Sequence, residues 1–279
     1  MGLEAATVLL QWAGGGLLFL WVTTRHREVG IGYGWLLRAV YGTMAAGSVG
    51  VGVAFDPTPA RDVAAAAVVV ATAVPLVVSI ARRRAGVAGE RERRERRTAR
   101  VAAMTGIDRD ARGPSDATPE FPPRLDLLPV LPAALGIAAA GAPDVLHVAR
   151  LLAGAAFLGA VSDAMLLGHW YLVQPGLGRE PIHELNTWLA RLWPAEVALL
   201  LVPTGMVSVL TGAIDDGYGG LLGWFWVACA LTTLVLAFVT RAALRERAYA
   251  AVMAATGLLY LAILTAFGTD LVARAVLAG

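Results

Sequence analysis

The 279-residue chain contains no lysine; all 23 of its basic residues are arginine. Its one cysteine, Cys229, stands inside an apolar run, which excludes a disulfide framework, a CxxC redox pair and a cysteine-built zinc site. Charged residues make up only 16% of the chain, against 57% hydrophobic, and the mean hydropathy is +0.64. A water-soluble domain of this composition would have too little polar surface to cover itself. The patterns G-x-x-x-x-G-K-[ST], H-E-x-x-H and G-x-S-x-G are missing, as is a Rossmann fingerprint in a suitable context, so ATP hydrolysis and ordinary hydrolase chemistry lack support. The opening residues, MGLEAATVLL, carry no basic stretch, and no persuasive small-x-small cleavage site precedes Arg25. The first apolar run is therefore read as a retained helix rather than a signal peptide.

What is present is long apolar helix. A bilayer-spanning helix needs about 20 mostly apolar residues, and eight runs come close, near 4–24, 30–54, 62–82, 126–142, 145–173, 185–211, 219–240 and 247–276. The expected fold is all-α, a polytopic integral membrane bundle of about eight transmembrane helices. Residues 1–81 hold helices one to three, 82–125 form an arginine-rich loop, and 126–279 hold helices four to eight. Dominance of Ala, Val, Leu and Gly, with arginine as sole basic residue, suggests a GC-rich bacterial genome, which places the protein as multi-pass in the cell inner membrane.

Arginines in the loops set the orientation. One side collects Arg25 and Arg27, the twelve arginines from Arg82 to Arg124, Arg179, and Arg241, Arg245 and Arg247. Among the loops of the other side, FDPTPARD, GAPD and GAIDDGYGG, only Arg61 appears. The arginine-heavy side is cytoplasmic on this rule and both termini face outward; Arg150 and Arg274 fall near outer helix ends, where snorkelling is inexpensive. The charge asymmetry sets topology and gives no reason to expect nucleic-acid binding. Within the loop, GERERRERRTARVAAMTG is helix-forming and DRDARGPSDATPEFPP is Pro- and Asp-rich, hence expected to be disordered. The loop is either a solvated hairpin or a docking helix for a membrane or cytoplasmic protein partner or for anionic lipid. The segments WLLR (Trp35–Arg38) and WLAR (Trp188–Arg191) hint at a four-plus-four repeat, although the remaining helices do not align.

Ionisable groups inside spans cost about 2.5–3.5 kcal/mol each on insertion scales and usually find protein partners. Arg38, Asp163, Arg191 and Glu196 stand out. At 1.5 Å per residue, all four are expected in the cytoplasmic half. Small residues spaced at i+4 around Arg38 (Gly34, Gly42, Ala46, Gly50) and Asp163 (Ala155, Gly159) place both on helix contacts. The expected result is one buried cluster in which Arg38 and Arg191 oppose Asp163 and Glu196. It is either an ion-pair network that fixes packing or a proton or anion site, because paired buried carboxylates can hold a shared proton.

His169, Trp170 and Tyr171 end the fifth helix, and His183 follows a Pro/Gly break. These residues read either as an interfacial aromatic belt or as a ligand site. A haem or metal would take two histidines, His169 with His183 or with His26. A quinone would take a donor such as His169 or Tyr171, an aromatic wall from Trp170, and a carboxylate route through Asp163 and Glu196. His147 and His169 cannot share a haem within one helix, since 22 residues separate them by about 33 Å. Three functional classes follow: a quinone- or haem-associated subunit of a membrane redox system, a proton-coupled secondary transporter in which Pro194 and Pro203 break helix six beside the site, and a scaffold or assembly subunit. No spacing separates catalysis from transport.

Topology is tested by reporter fusions. A fusion after Gly86 is expected to read cytoplasmic and one at Gly279 external; an internal reading at Gly279 would overturn the assigned orientation.

Overall fold

The computed structural model describes residues 4–83, 87–105, 120–174 and 176–278, and these form helices with no strand among them. In chain order they are α1 (Ala5–Thr24), α2 (Ile31–Phe55), α3 (Pro59–Ala81), α4 (Ala88–Thr105), a 3-10 turn (Pro123–Leu127), α5 (Val130–Gly141), α6 (Val145–Val173), α7 (Glu180–Leu201), α8 (Gly205–Leu210), α9 (Leu221–Arg245) and α10 (Tyr249–Ala278). The protein is an all-α membrane-helix bundle. Among the described residues, seven segments are long and apolar enough to cross a bilayer: α1, α2, α3, the 3-10 turn with α5, α6, α9 and α10. The expected helix in the first half of the arginine-rich loop is α4. Of residues 108–123, where disorder was expected, 108–119 lie outside the described residues, whereas 120–123 are packed, with Glu120 paired to Arg27, Phe121 buried and Pro123 opening the 3-10 turn.

The expected span at 185–211 differs from the rest. It divides into α7 and α8, and α7 carries Glu180, Glu184, Arg191 and Glu196, too many charges for a plain apolar span. The division falls at Val202, which takes an extended conformation (φ −94°, ψ 146°) directly before Pro203. A proline pushes its predecessor out of the helical region, and this ends α7. Pro194, by contrast, is held within α7. At the start of α9, Asp216 accepts hydrogen bonds from the backbone N–H groups of Tyr218, Gly220, Leu222 and Gly223. Those donors hold its carboxyl below the ordinary carboxylate range.

The centre of the bundle is α1 against α6. Helix α1 packs on α2 along one side and on α6 along another, while α6 also meets α7 and α10. Three successive glycines in α1 make this possible, because neighbouring residues on a helix point about 100° apart. Gly14 faces α5, where a Cβ would sit 2.8 Å from Ala133 Cβ. Gly15 faces α6, where a Cβ would fall 1.8 Å from the Ala155 carbonyl oxygen; Gly159 in turn lies against the Gly15 backbone, its Cβ position 2.2 Å from the Gly15 carbonyl carbon. Gly16 faces α2, and a Cβ there would enter the Tyr41 ring. Small residues of this kind let membrane helices approach backbone to backbone.

Gly159→Ala is therefore expected to destabilise the protein by about 1–3 kcal/mol or more, since backbone on the opposite helix cannot swing away. Gly50→Ala meets nothing within 4 Å and is expected to be neutral or to stabilise by up to about 1 kcal/mol through helix propensity. Thermal unfolding in detergent compares the two; equal responses would contradict the close crossing.

Candidate intramembrane polar sites

Three separate buried polar sets replace the single expected cluster. In the first, α2 carries Arg38 to within reach of the 3-10 turn, and Arg38 is 2% exposed and Asp126 1%. Nε donates to Asp126 Oδ1 at 2.8 Å and Nη2 to Oδ2 at 3.0 Å, a two-pronged pairing. The remaining edge, Nη1, donates to Ser79 Oγ at 3.2 Å, and Thr24 adds a bond to Asp126 Oδ2 at 2.9 Å. The guanidinium also lies 4.5 Å from the centroid of the Phe121 ring. Arg38 and Asp126 thus satisfy each other and lock the exit of the arginine-rich loop to α1, α2 and α3.

The second set is Asp163, fully buried in α6. Tyr41 of α2 donates its hydroxyl to Asp163 Oδ1, reaching across the space left by Gly16. Tyr33 donates to the Asp163 carbonyl at 3.3 Å. Beside it, Trp12 Nε1 donates to Ser162 Oγ at 2.8 Å. Oδ2 of Asp163 has no hydrogen-bond partner among the described residues. The depth expectation agrees with this arrangement: Tyr41 is ten residues from Ile31 and Asp163 ten from Val173, each about 15 Å from the arginine-rich end of the bundle. The expected cation does not agree, because Arg38 is committed to Asp126.

The third set lies toward the opposite, acidic end. Helix α7 begins at Glu180 rather than at 185, so Glu196 is about 24 Å from that helix start, which takes it out of the half that holds Arg38. It faces Asp270 and Arg274 of α10. Arg274 donates from Nε and Nη2 to Asp270 Oδ1, both at 3.0 Å. Gln11 of α1 donates to the Leu151 carbonyl at 2.6 Å. Gly154 of α6 floors the set: a Cβ there would lie 2.6 Å from Asp270 Oδ1 and 3.1 Å from both Arg274 Nη2 and Gln11 Nε2. Glu196 is 0% exposed, and both of its oxygens, Gln11 Oε1 and Arg274 Nη1 have no hydrogen-bond partner among the described residues.

Three further expectations need correction. Arg191 is exposed, 5.9 Å from the centroid of the Trp188 ring, and among the described residues it joins no buried carboxylate. Arg274 does not snorkel but is buried with Asp270. Arg150 likewise turns inward, donating to the carbonyls of Leu199, at 2.8 Å, and Val202, the acceptors freed where α7 stops.

The histidine and aromatic group is brought to the arginine-rich end as expected, but its members face different helices. His169 Nδ1 is 3.3 Å from the Tyr260 hydroxyl of α10, whereas His183 Nε2 is 3.3 Å from the Leu244 carbonyl of α9. Trp170 Nε1 donates to Gln174 Oε1 at 2.9 Å, and the Tyr171 hydroxyl donates to the Gly178 carbonyl. His26 pairs instead with Glu184 at 3.1 Å, on the rim of a cleft of about 360 Å³ lined by His26, Glu28, Glu180, Pro181 and Glu184. Among the described residues, no group of three or more His, Cys, Asp or Glu side chains is arranged to hold a metal ion.

Comparison with protein families, with curated proteins and with solved structures finds no match for this chain. Sequence reasoning missed Asp126, Tyr41, Gln11, Asp270 and Arg274 as site members. Asp270 and Arg274 had a usable signal, an i,i+4 acid and arginine in an otherwise apolar helix. Asp126 had none, because it stands at the edge of a run that reads as loop.

Arg38→Ala leaves Asp126 buried and unpaired and is expected to cost about 3–5 kcal/mol. Adding Asp126→Asn should recover part of that loss, while Arg38→Ala with Asp163→Asn should be additive within about 0.5 kcal/mol. Thermal unfolding of Arg38→Ala, Asp126→Asn, Asp163→Asn and the two double variants checks this, and coupling of Arg38 to Asp163 instead of Asp126 would refute the pairing.

Proposed function

We propose that the protein is a proton-handling membrane protein of the transport class, a proton-coupled carrier seated in a bacterial inner membrane. The observation that supports this reading most is Asp163: a fully buried carboxyl at the crossing of α1 and α6, bonded to tyrosine rather than to a cation, with Oδ2 unpartnered among the described residues. A buried carboxylate without a countercharge is costly, and a carboxyl there resolves the cost by taking a proton. In this role Asp163 takes and releases the proton. Tyr41 positions it, and Trp12 and Ser162 supply polar groups beside it. Helix α7, interrupted by the Val202–Pro203 step close to Glu196, has the discontinuous character that transport helices use next to their sites.

The redox reading has less support. The groups a quinone would use, on Trp170, Tyr171, His169 and His183, are engaged within the chain or turned to different helices. A bis-histidine haem would need two imidazoles aimed at one iron, and here they are aimed at α10 and α9. The scaffold reading explains Arg38 and Asp126, whose hydrogen bonds are filled, but leaves the open carboxyls unexplained. Helix α4, with exposed Arg96 and Arg97 and the exposed apolar Val101 and Met104, suits the anionic headgroup layer or a partner at the same face.

The test is proton flux in vesicles holding the purified protein, with a pH-sensitive dye inside and a potassium diffusion potential as driving force. Wild-type vesicles are expected to acidify faster than protein-free ones, Asp163→Asn to fall to the protein-free rate, and Tyr41→Phe to lie between. Wild-type flux equal to that of Asp163→Asn would contradict the proposal.

A further inference from the structure

We infer that Glu196 and Asp270 form one proton-binding site, in which a single proton bridges the two carboxyls, and that this site is loaded from the acidic end of the bundle along a polar stripe of α1. The inference deepens the proton-carrier reading and rests on it. Asp270, Arg274, Gln11 and Gly154 were not among the site residues expected from the sequence.

Charge balance is the first ground. Glu196 and Asp270 are 0% and 1% exposed, and the one cation in the set, Arg274, is directed by two nitrogens at Asp270 Oδ1. Two carboxylates against one guanidinium leave one uncompensated negative charge away from water, which a protein interior tolerates poorly. Among the described residues no other cation is seen to replace the missing charge: Arg150, one turn away on α6, is turned to the carbonyls that end α7, and the partly buried His147 stands a further turn toward the acidic end. On the α9 side, α10 meets the uncharged Trp226, which donates to the Thr269 carbonyl at 2.9 Å. One proton on the facing carboxyls supplies the missing charge. It also fills open positions: neither Glu196 oxygen has a hydrogen-bond partner among the described residues, and a protonated Glu196 donates to Asp270, whose Oδ2 lies 2.9 Å from Arg274 Nε but accepts no hydrogen bond among those residues.

Access is the second ground. Glu4, Thr7 and Gln11 are spaced i, i+3, i+7 and share one face of α1. The Glu4 side chain is 41% exposed, Thr7 is 3% exposed, and Gln11 is fully buried beside Gly154. Thr7 donates to Glu4 Oε2 at 2.9 Å, and Arg61 donates to both, at 2.9 Å to Glu4 and 3.2 Å to Thr7. The stripe descends about 10 Å from water to the acid pair. Gln11 Oε1 has no hydrogen-bond partner there among the described residues and is an acceptor for a water molecule that hands on the proton. The step forms one O–H bond at a Glu196 oxygen and breaks one in the donating water, which takes a proton in turn from a hydronium ion at the acidic end and so remains water.

The experiment is infrared difference spectroscopy between acid and alkaline buffer on the full-length protein in nanodiscs. The carbonyl stretch of a protonated carboxyl is expected in wild type and in Asp163→Asn. It should be lost in Glu196→Gln and equally in Asp270→Asn, because either change leaves one carboxylate for one guanidinium. Separate bands lost one by one would overturn the shared proton, as would a band abolished by sodium but not by choline, which would mark a metal-cation site. If Asp270→Asn fails to fold, Arg274→Gln serves in its place: with both acids and no cation it must take up more proton, and the band should grow. An unchanged band would overturn the charge balance. After a switch to heavy water the isotopic downshift of the band should be slower in Gln11→Leu than in wild type, and equal rates would overturn the route. Absence of the band with Asp163-dependent flux intact would reject this site alone, whereas the band with no flux in any variant would uphold the site and reject the carrier reading.

Discussion

The backbone contact between Gly15 of α1 and Gly159 of α6 is the constraint on which the other arrangements depend. Because neither helix carries a side chain there, the two axes come close enough for α1 to be enclosed by α2, α5 and α6 together. Gly16, one residue on, leaves room for the Tyr41 ring, so a tyrosine on α2 reaches a carboxyl on α6 past the helix that separates them. Gly154, further along α6, leaves the same kind of room for Asp270, Arg274 and Gln11. Helix-interior glycines are unfavourable by about 1 kcal/mol each relative to alanine, and the tight packing around polar groups is what they provide in return.

That packing creates buried polar sets of two kinds. Arg38 and Asp126 are closed: every edge of the guanidinium and both carboxylate oxygens are engaged, and the set ties a loop to three helices. Asp163 and the Glu196, Asp270 and Arg274 group are open, with oxygens that have no hydrogen-bond partner among the described residues and more acid than base. A closed set stabilises one conformation, whereas an open set has a protonation state to change. The two open sets also lie at different depths of the same helix, Asp163 on one side of the Gly159 crossing and Gly154 on the other, so α6 is the element that a proton moving through the bundle would follow.

Much of this architecture was legible in the sequence. The apolar runs near 4–24, 30–54 and 145–173 match helices α1, α2 and α6 to within a residue or so, since length and hydropathy are enough to mark a span. Asp163 was legible as a buried charge from its cost and from the small residues one and two turns before it. Its partner was not. Arg38 and Asp163 do occupy neighbouring depths, but helix periodicity says nothing of which face meets which neighbour, and the tyrosine that fills the gap reads as an ordinary apolar residue. Glu196 was placed in the wrong half because the amphipathic first turn of α7, EPIHE, looks like loop. Asp126 was invisible because a 3-10 turn folds it under the bundle.

The central claim is that Asp163 is a proton site held by Tyr41 rather than half of an ion pair. The most direct measurement is the infrared carbonyl stretch of its protonated carboxyl, identified by its loss in Asp163→Asn, compared between wild type and Tyr41→Phe. The account predicts a band that moves to higher frequency when the tyrosine hydroxyl is removed, because the carboxyl then loses a hydrogen bond. An Asp163 that stays ionised throughout, or a band that Tyr41→Phe leaves in place, would contradict it.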